Sequence, residues 1–482
     1  MKPRKLSQPL ALAAVALWLA VPSAALHAQA TLARTQTPAR YAPAIELART
    51  LIQALMEESG TPGMSVAVGI DGEIVWAEGF GYADVESRVP VWEETKFRIG
   101  SVSKPLTAAA VGLLVEQGKL DLDAPVQQYV PSFPEKRWPI TTRQVAGHLA
   151  GIRHYDGDEF LSSKRYATVL EGLEIFQDDT LLFQPGERFS YSSYGWNLIS
   201  AVIEGASGAD FLTYMQENVF EPLGMDHTIA GHTDSIIPHR TRFYERNGDG
   251  GVVNAAYVDN SNKWAGGGFL STPSDLVRFA FAHFGDDFLR PETIAELWTP
   301  QTTAAGESTG YGIGWAVTLQ DGVVTSASHG GGSVGGTTGF RTRPPERAAV
   351  AVVGNMSQAP TGGLLTSLIL QAFLAPEELV SSDPGPDISG SYACNVMAGE
   401  NVAVTGGMEV YGSRAEYDGR IVWSNFTVDH VIHSYSGPEY TWLVTIDGGA
   451  NLMSLRFDTI EADSLAGEWT SGGRGALSCS RR

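Results

Sequence analysis

Cysteine is almost absent: the 482 residues include only Cys394 and Cys479, both near the C-terminus. A disulfide-stapled scaffold is therefore excluded, and most of the chain must be held by a packed core. Hydrophobic residues supply 43% of the sequence, enough for a large core and more than one domain. Long apolar runs are also missing. The main hydrophobic stretch, from about Pro9 to Val21, is short for a bilayer span. It follows Lys2, Arg4 and Lys5 and precedes Ala28-Gln29-Ala30. A basic start, a short apolar segment and a small-x-small cleavage site have the layout of a secretory signal peptide, expected over residues 1–30. No cysteine lies near the cut to carry a lipid. The expected location is periplasmic or secreted, without a membrane anchor.

Positive charge is the third scarcity. Lys and Arg number 33 against 54 Asp and Glu, a formal charge of -21. Loss of the leader removes three cations and no acids, which takes it to -24. So acidic a surface disfavours nucleic acid and anionic membranes as partners. Export into an oxidising compartment makes a Cys394–Cys479 disulfide the expectation, with two buried thiols as the alternative. A closed loop of that length contributes roughly 4 to 5 kcal/mol in the chain-entropy model.

Residues 42–58 carry Ile45, Leu51, Ile52 and Leu55 at helical spacing. Two strand-like runs, 65–70 and 73–80, meet at Asp71-Gly72, a strong hairpin signal. A long middle section to about Arg290 is rich in helical patterns, including 144–151, 196–208 and 272–284. Strand patterns return at 311–317, 322–327, 338–342 and 348–353, followed by a helical pattern at 364–373. A sheet built from both ends of the segment around a helical insertion is implied, an α/β (α+β) architecture. Ser381-Ser382-Asp383-Pro384-Gly385-Pro386 reads as a linker. The short alternating runs beyond it predict a small all-β, barrel-like domain over 387–482, with the two cysteines in its first and last strands.

Of eight lysines, only Lys104 has a serine three positions before it. Ser101 and Lys104 fall at a predicted helix start, where i and i+3 side chains share a face. Pro105 suits the first turn and Gly118 the C-terminal cap. Ser101 would then sit at the positive end of the helix dipole, near backbone N–H groups able to receive an oxyanion. Taken alone, a serine N-cap beside a solvated lysine is the competing reading. A serine needs a base to become a nucleophile. Lysine serves near neutral pH only if desolvation and nearby positive charge lower its pKa by about 3 units. Tyr191, between a turn at Gln184-Pro185-Gly186-Glu187 and a helical run, could pass protons beside it. Ser328-His329-Gly330-Gly331-Gly332-Ser333 is a third element, whose glycines let backbone approach a substrate closely.

Ser101-Val102-Ser103-Lys104, Tyr191-Ser192-Ser193 and His329-Gly330-Gly331 together resemble the three ordered motifs of the serine β-lactamase and penicillin-binding protein family. The likeness is to its class C-type branch of esterases, D-amino-acid peptidases and β-lactamase-like serine hydrolases. It extends from about residue 43 to 375. Glu116 to Asp123, Pro222 to Met225, Gly266 to Thr272 and Tyr311 to Trp315 agree with it, and Gly151-Ile152-Arg153-His154-Tyr155 resembles the β-lactamase-like serine hydrolases. The resemblance implies that family's fold over 31–380, an antiparallel sheet flanked by helices plus a helical subdomain. It implies acyl transfer through a Ser101 ester, with Lys104 and Tyr191 shuttling protons. The backbone N–H groups of Ser101 and Gly332 would form the oxyanion hole. Substrate would meet Ser193, His329, Gly330 and Gly331, with His329 orienting the acyl group or its carboxylate. Ser193 stands where many β-lactamases carry asparagine, which weighs against efficient β-lactam hydrolysis. The expected substrate is a β-lactam, a D-amino-acid peptide or a carboxylic ester.

Two Gly-x-Ser-x-Gly segments, Gly331–Gly335 and Gly306–Gly310, lack the strand-before, helix-after context of a nucleophile elbow. His430-Val431-Ile432-His433 has no acidic or cysteine ligand at a recognised spacing, so no metal or other cofactor is expected. A non-catalytic sensor or scaffold that kept the fold is the alternative function.

Overall fold

The structure, a computed structural model, describes residues 38–376, 387–398 and, with short breaks, the strands between 401 and 482. The expected leader at 1–30 and linker at 381–386 lie outside the described residues. From its start, α1 (Ala42–Ser59) leads into β1 (Gly63–Ile70), β2 (Glu73–Asp84) and β3 (Val89–Pro90), and β4 (Phe97–Arg98) precedes α2 (Ser103–Glu116). The middle holds α3 (Thr142–Ala146), α4 (Val169–Leu173), α5 (Ser193–Ser207) and α6 (Phe211–Met215). Short strands β5 (Ile229–Ala230), β6 (Tyr244–Arg246), β7 (Val252–Asn254) and β8 (Phe269–Ser271) follow, then α7 (Pro273–Phe281) and α8 (Pro291–Trp298). The chain returns through β9 (Ala316–Gln320), β10 (Val323–Ser333), β11 (Gly336–Arg343), β12 (Ala348–Gly354) and α9 (Gly363–Leu374).

Asp71 and Gly72 adopt φ of 52° and 85°, the left-handed pair whose twist matches a two-residue hairpin. The free edge of β1 is taken by β12 from the far end of the segment, with Val66 opposite Val352. The resulting antiparallel sheet has the order β3-β2-β1-β12-β11-β10-β9. Alternation along β1 and β12 sends Val66, Val68, Val350 and Val352 to one face, under α1 and α9. Ala67, Ala349, Ala351 and Val353 go to the other, where the cluster includes Leu276, Val277 and Phe279 of α7. Small residues on that face let α7 lie close. The N-terminal half of α2 is buried on every side, from Ser103 to Gly112, so its polar members need partners inside the protein.

Two local expectations shift. The helical pattern at 144–151 is realised as the short α3, started by a capping box between Thr141 and Gln144. It stops because His148 turns to φ 62°. The strand pattern at 311–317 begins only at Ala316, leaving Tyr311 as an isolated bridge to that residue.

From residue 390 on the strands are β13 (Gly390–Ala398), β14 (Asn401–Ser413), β15 (Glu416–Trp423), β16 (Thr427–Val428), β17 (Val431–Ser436), β18 (Glu439–Ile446), β19 (Asn451–Ile460), β20 (Ser464–Thr470) and β21 (Arg474–Arg481). They form one sheet in the order β16-β15-β14-β13-β21-β20-β19-β18-β17. First and last strands adjoin, and Cys394 and Cys479 pair across them in a disulfide. Tyr392, Val396, Met408, Leu455, Phe457 and Leu477 make its core. No helix among the described residues is long and apolar enough to cross a membrane.

The disulfide closes a separation of 85 residues. Converting both cysteines to alanine should lower the stability of the C-terminal unit by roughly 2 to 5 kcal/mol. Denaturant unfolding followed by tryptophan fluorescence reads this, and an unchanged midpoint would show that the crosslink contributes nothing.

Candidate active site

Gly100, at φ 51°, opens a 3-10 turn that runs directly into α2. Ser101 is half-buried on that turn, and Lys104 is fully buried one helical turn on. Lys104 Nζ lies 2.9 Å from Ser101 Oγ, 3.2 Å from Ser193 Oγ and 2.8 Å from the Gly266 carbonyl oxygen, to which it donates. These partners are neutral oxygens. Burial, then the positive charge of Lys263, holds the amine well below the usual lysine range. The neutral form so favoured has a lone pair for a hydroxyl proton 2.9 Å away.

Tyr191 lies just before α5, whose N-terminus is capped by Ser192: its Oγ accepts from the Gly195 N–H at 3.1 Å and donates to the Arg153 carbonyl at 2.6 Å. The Tyr191 ring centre is 4.8 Å from Lys104 Nζ. Burial pushes the phenol up to about 12, against the opposing pull of the Ser101 and Ser193 hydroxyls. It therefore stays protonated at neutral pH.

The third element is the end of β10. Gly330 and Gly332 face outward, while His329, Gly331 and Ser333 are buried, the alternation a strand imposes. A Cβ on Gly331 would lie 1.9 Å from the Ile99 carbonyl oxygen, and one on Gly100 would lie 2.7 Å from the Gly332 nitrogen. Only paired glycines let strand and turn touch this closely, and the contact brings the end of β10 against the Ser101 turn. β9 covers β10 only as far as Ser328, opposite Ala316. The edge from His329 to Ser333 is left without β9 as a neighbour.

Two of the expected substrate contacts, His329 and Ser193, are buried. His329 presents no cation to the cleft: burial, then Lys104, pushes it down to about 3. Its Nδ1 is 2.6 Å from the Gly330 carbonyl and its Nε2 is 2.8 Å from the Tyr311 hydroxyl. Nδ1–H therefore donates to Gly330 and Nε2 accepts from Tyr311. Ser193 is 3% exposed. Its hydroxyl serves Lys104 and Tyr155 instead of the open cleft.

Five further residues surround this centre. His148 Nδ1 accepts from the Ser192 N–H at 3.1 Å, and its ring lies 4.3 Å from that of Tyr191. Burial, followed by the charges of Lys104, His329 and His154, pushes it far down. His154 Nδ1 accepts from the Ser193 N–H at 3.1 Å, and its ring edge is exposed. Tyr155 packs beside it at 4.4 Å. Tyr311 fixes His329, and Lys263, 3% exposed, sends Nζ to the Phe160 carbonyl at 3.3 Å. Burial, then Arg98, lowers Lys263 to about 8. His154, Tyr155 and Tyr311 fall in segments that the sequence reading marked without roles. His148 and Lys263 carry no such mark. Among the described residues no group of His, Cys, Asp and Glu is placed to hold a metal ion. His430 and the His433 side chain lie outside them.

A serine within reach of a buried amine, with a phenol and a glycine-rich strand end packed beside them, has the composition of an acyl-transferring serine hydrolase site. The family model described as Beta-lactamase matches residues 48–372, and the chain belongs to the beta-lactamase family. It is 35% identical to the serine beta-lactamase-like protein LACTB, mitochondrial, of Homo sapiens, over 69% of this chain and 78% of that one. Identity to penicillin-binding protein 4* of Bacillus subtilis is 28%, over 60% and 67% of the two chains. The fold is shared with the octameric penicillin-binding protein homologue from Pyrococcus abyssi, at a TM-score of 0.59 and 24% identity, covering 90% of this chain and 99% of that one.

Gly331→Ala should push β10 away from the Ser101 turn and lower the rate of labelling by a fluorophosphonate about 100-fold or more. A Cβ on Gly332 meets nothing within 4 Å, so Gly332→Ala is the mild control. Equal rates in the two variants would show that the glycine contact does not position the amides.

Proposed function

We propose that the chain hydrolyses an amide or ester by acyl transfer through Ser101. The observation that carries this is the 2.9 Å contact between Ser101 Oγ and a Lys104 amine buried among neutral oxygens. In this reading Lys104 takes the hydroxyl proton as Oγ attacks the carbonyl carbon, and the oxyanion is received by the N–H groups of Ser101 and Gly332. Tyr191, protonated at neutral pH, gives its proton to the leaving nitrogen or oxygen and regains one from Lys104. The C–N or C–O bond breaks and a Ser101 ester forms. Water then attacks the ester with the proton transfers reversed, releasing the acid and Ser101.

On the substrate side, Ser193 is engaged by Lys104, so a polar contact to the acyl group falls to His154. Its Nδ1 accepts from a backbone N–H. The neutral ring therefore carries hydrogen on Nε2 and offers a donor from the cleft wall. The outward edge of β10 at Gly330 and Gly332 is open to pair with an extended substrate backbone. This arrangement suits a D-amino-acid peptide or a carboxylic ester better than a β-lactam. Export to the periplasm or the exterior, from the basic and apolar start of the sequence, is part of the same proposal.

Intact mass after treatment with a fluorophosphonate should show one adduct in the wild type and none in Ser101→Ala. An adduct that survives the substitution would remove Ser101 as the nucleophile. Lys104→Ala and Tyr191→Phe should each reduce acylation by about 10² to 10⁴-fold, and near-wild-type rates would remove their roles.

The pH dependence follows from the two shifts. Lys104 is lowered, so activity is absent when it is protonated and rises as pH increases through a value well below 10.5. Tyr191 is raised to about 12, so the alkaline fall comes only near that pH. The charge of Lys263 helps to lower Lys104, and Lys263→Met should therefore move the acid limb of kcat/KM to higher pH. An acid limb that stays in place or moves down would sink this assignment.

A further inference from the structure

A cleft of about 990 Å³ opens beside the catalytic strand and plays no part in the chemistry above. It is lined by Arg98, Arg240 and Arg242 together with Trp92, Ile236 and Tyr257. Ile236 is 98% and Tyr257 66% exposed, apolar surface that a protein of formal charge -21 has no folding reason to display here.

The arginines are the unusual part. Arg98 is 8% exposed, yet its hydrogen bonds go only to the carbonyls of Val334 and Val258, at 2.8 and 3.5 Å, and its guanidinium lies 3.8 Å over the Phe243 ring. Arg240 bonds to the carbonyls of His232 and Ser235. Arg242 reaches Asp84 at 3.5 Å, an aspartate that also accepts from Ser87. The other acid in the wall, Asp234, is ion-paired with Arg165. Asp259, which draws on Arg98 electrostatically, is held by Thr233 and Ser261. The lining thus sets three arginines against two aspartates, with Glu86 at Asn254 and Asp259 near Arg98, in a protein with an excess of acids.

Its position links it to catalysis. Arg98 stands three residues before Ser101, and its partner Val334 stands two residues after Gly332. Two strand residues span about 7 Å. At the turn after β10, a Cβ on Gly335 would lie 2.3 Å from Phe243 Cβ, so the hairpin that carries Gly332 rests on the cleft's own wall.

We infer that this cleft is a subsite for the anionic end of an extended substrate, a carboxylate or phosphate group carried on an aromatic or branched apolar body. The inference rests on the acyl-transfer reading for its link to Ser101. Guanidinium groups recognise either oxyanion in a forked geometry, while Trp92, Tyr257 and Ile236 cover the body. A substrate whose scissile bond lies at Ser101 would then carry its charge about two residues or more away.

Binding is measured on Ser101→Ala by calorimetry with benzylsuccinate, phenyl phosphate and neutral benzyl alcohol. At least one anion should bind in the millimolar range or tighter, weaken with added salt and exceed the alcohol at least tenfold. The preferred anion tells a carboxylate from a phosphate. Arg240→Gln with Arg242→Gln should weaken that anion at least tenfold. Tyr257→Ala, an exposed position, should weaken it about threefold or more without altering thermal unfolding. Absence of anion binding, equal binding of the alcohol, or unchanged affinity in the Tyr257 and arginine variants overturns the subsite. Fluorophosphonate labelling of the wild type scores the acyl-transfer reading separately, so either can fail while the other stands.

Discussion

Burying an amine with no carboxylate beside it is unfavourable, and the organisation of this site follows from how that is managed. Lys104 has the hydroxyls of Ser101 and Ser193 and the carbonyl of Gly266 as its partners. These satisfy N–H groups without stabilising a positive charge as a carboxylate would. The partners come from the Ser101 turn, the start of α5 and the segment before β8, so three distant parts of the chain meet at one nitrogen. Much of the polar architecture nearby serves the same end. Ser192 caps α5 and fixes Ser193, while His148 and His154 accept the backbone N–H groups of Ser192 and Ser193.

The second constraint is steric. A nucleophile and an oxyanion hole must lie within a few ångströms, and here they belong to a helix turn and a sheet strand that any side chain would separate. Gly100 and Gly331 remove both Cβ atoms at the seam. His329, anchored through Tyr311 on the buried side of the same strand, then holds its orientation. The histidine acts on the shape of β10 from its buried side and leaves Gly330 and Gly332 exposed on the other.

Much of this could be read from the chain, and the reasons differ by element. Ser101 and Lys104 were legible because the helix brings i and i+3 together whatever surrounds it. The Asp71-Gly72 hairpin was legible because its backbone angles depend on those two residues alone. Some of the C-terminal strands, such as β14, β18 and β19, showed as alternation, although register did not. The surroundings of Ser193 and His329 were not legible because burial, which leaves Ser193 3% exposed and favours a neutral His329, arises from packing by remote segments. Lys263 was invisible for the same reason, since nothing around it marks a lysine that ends up 3% exposed. The arginine cleft draws its walls from the β2–β4 region and from residues 233–257, so no local pattern could announce it.

The pairing of β1 with β12 has a consequence for biogenesis. β10 reaches the Ser101 turn through a ladder that runs from β1 across β12 and β11, and β12 ends at Gly354. A ribosome therefore releases Ser101, Lys104 and Tyr191 long before the strand end that packs on the Ser101 turn can dock. Pairings between segments so distant in sequence form late in folding. Until they do, Ser101, Lys104 and Tyr191 are present in the nascent chain without the strand end that packs against the Ser101 turn in the folded protein.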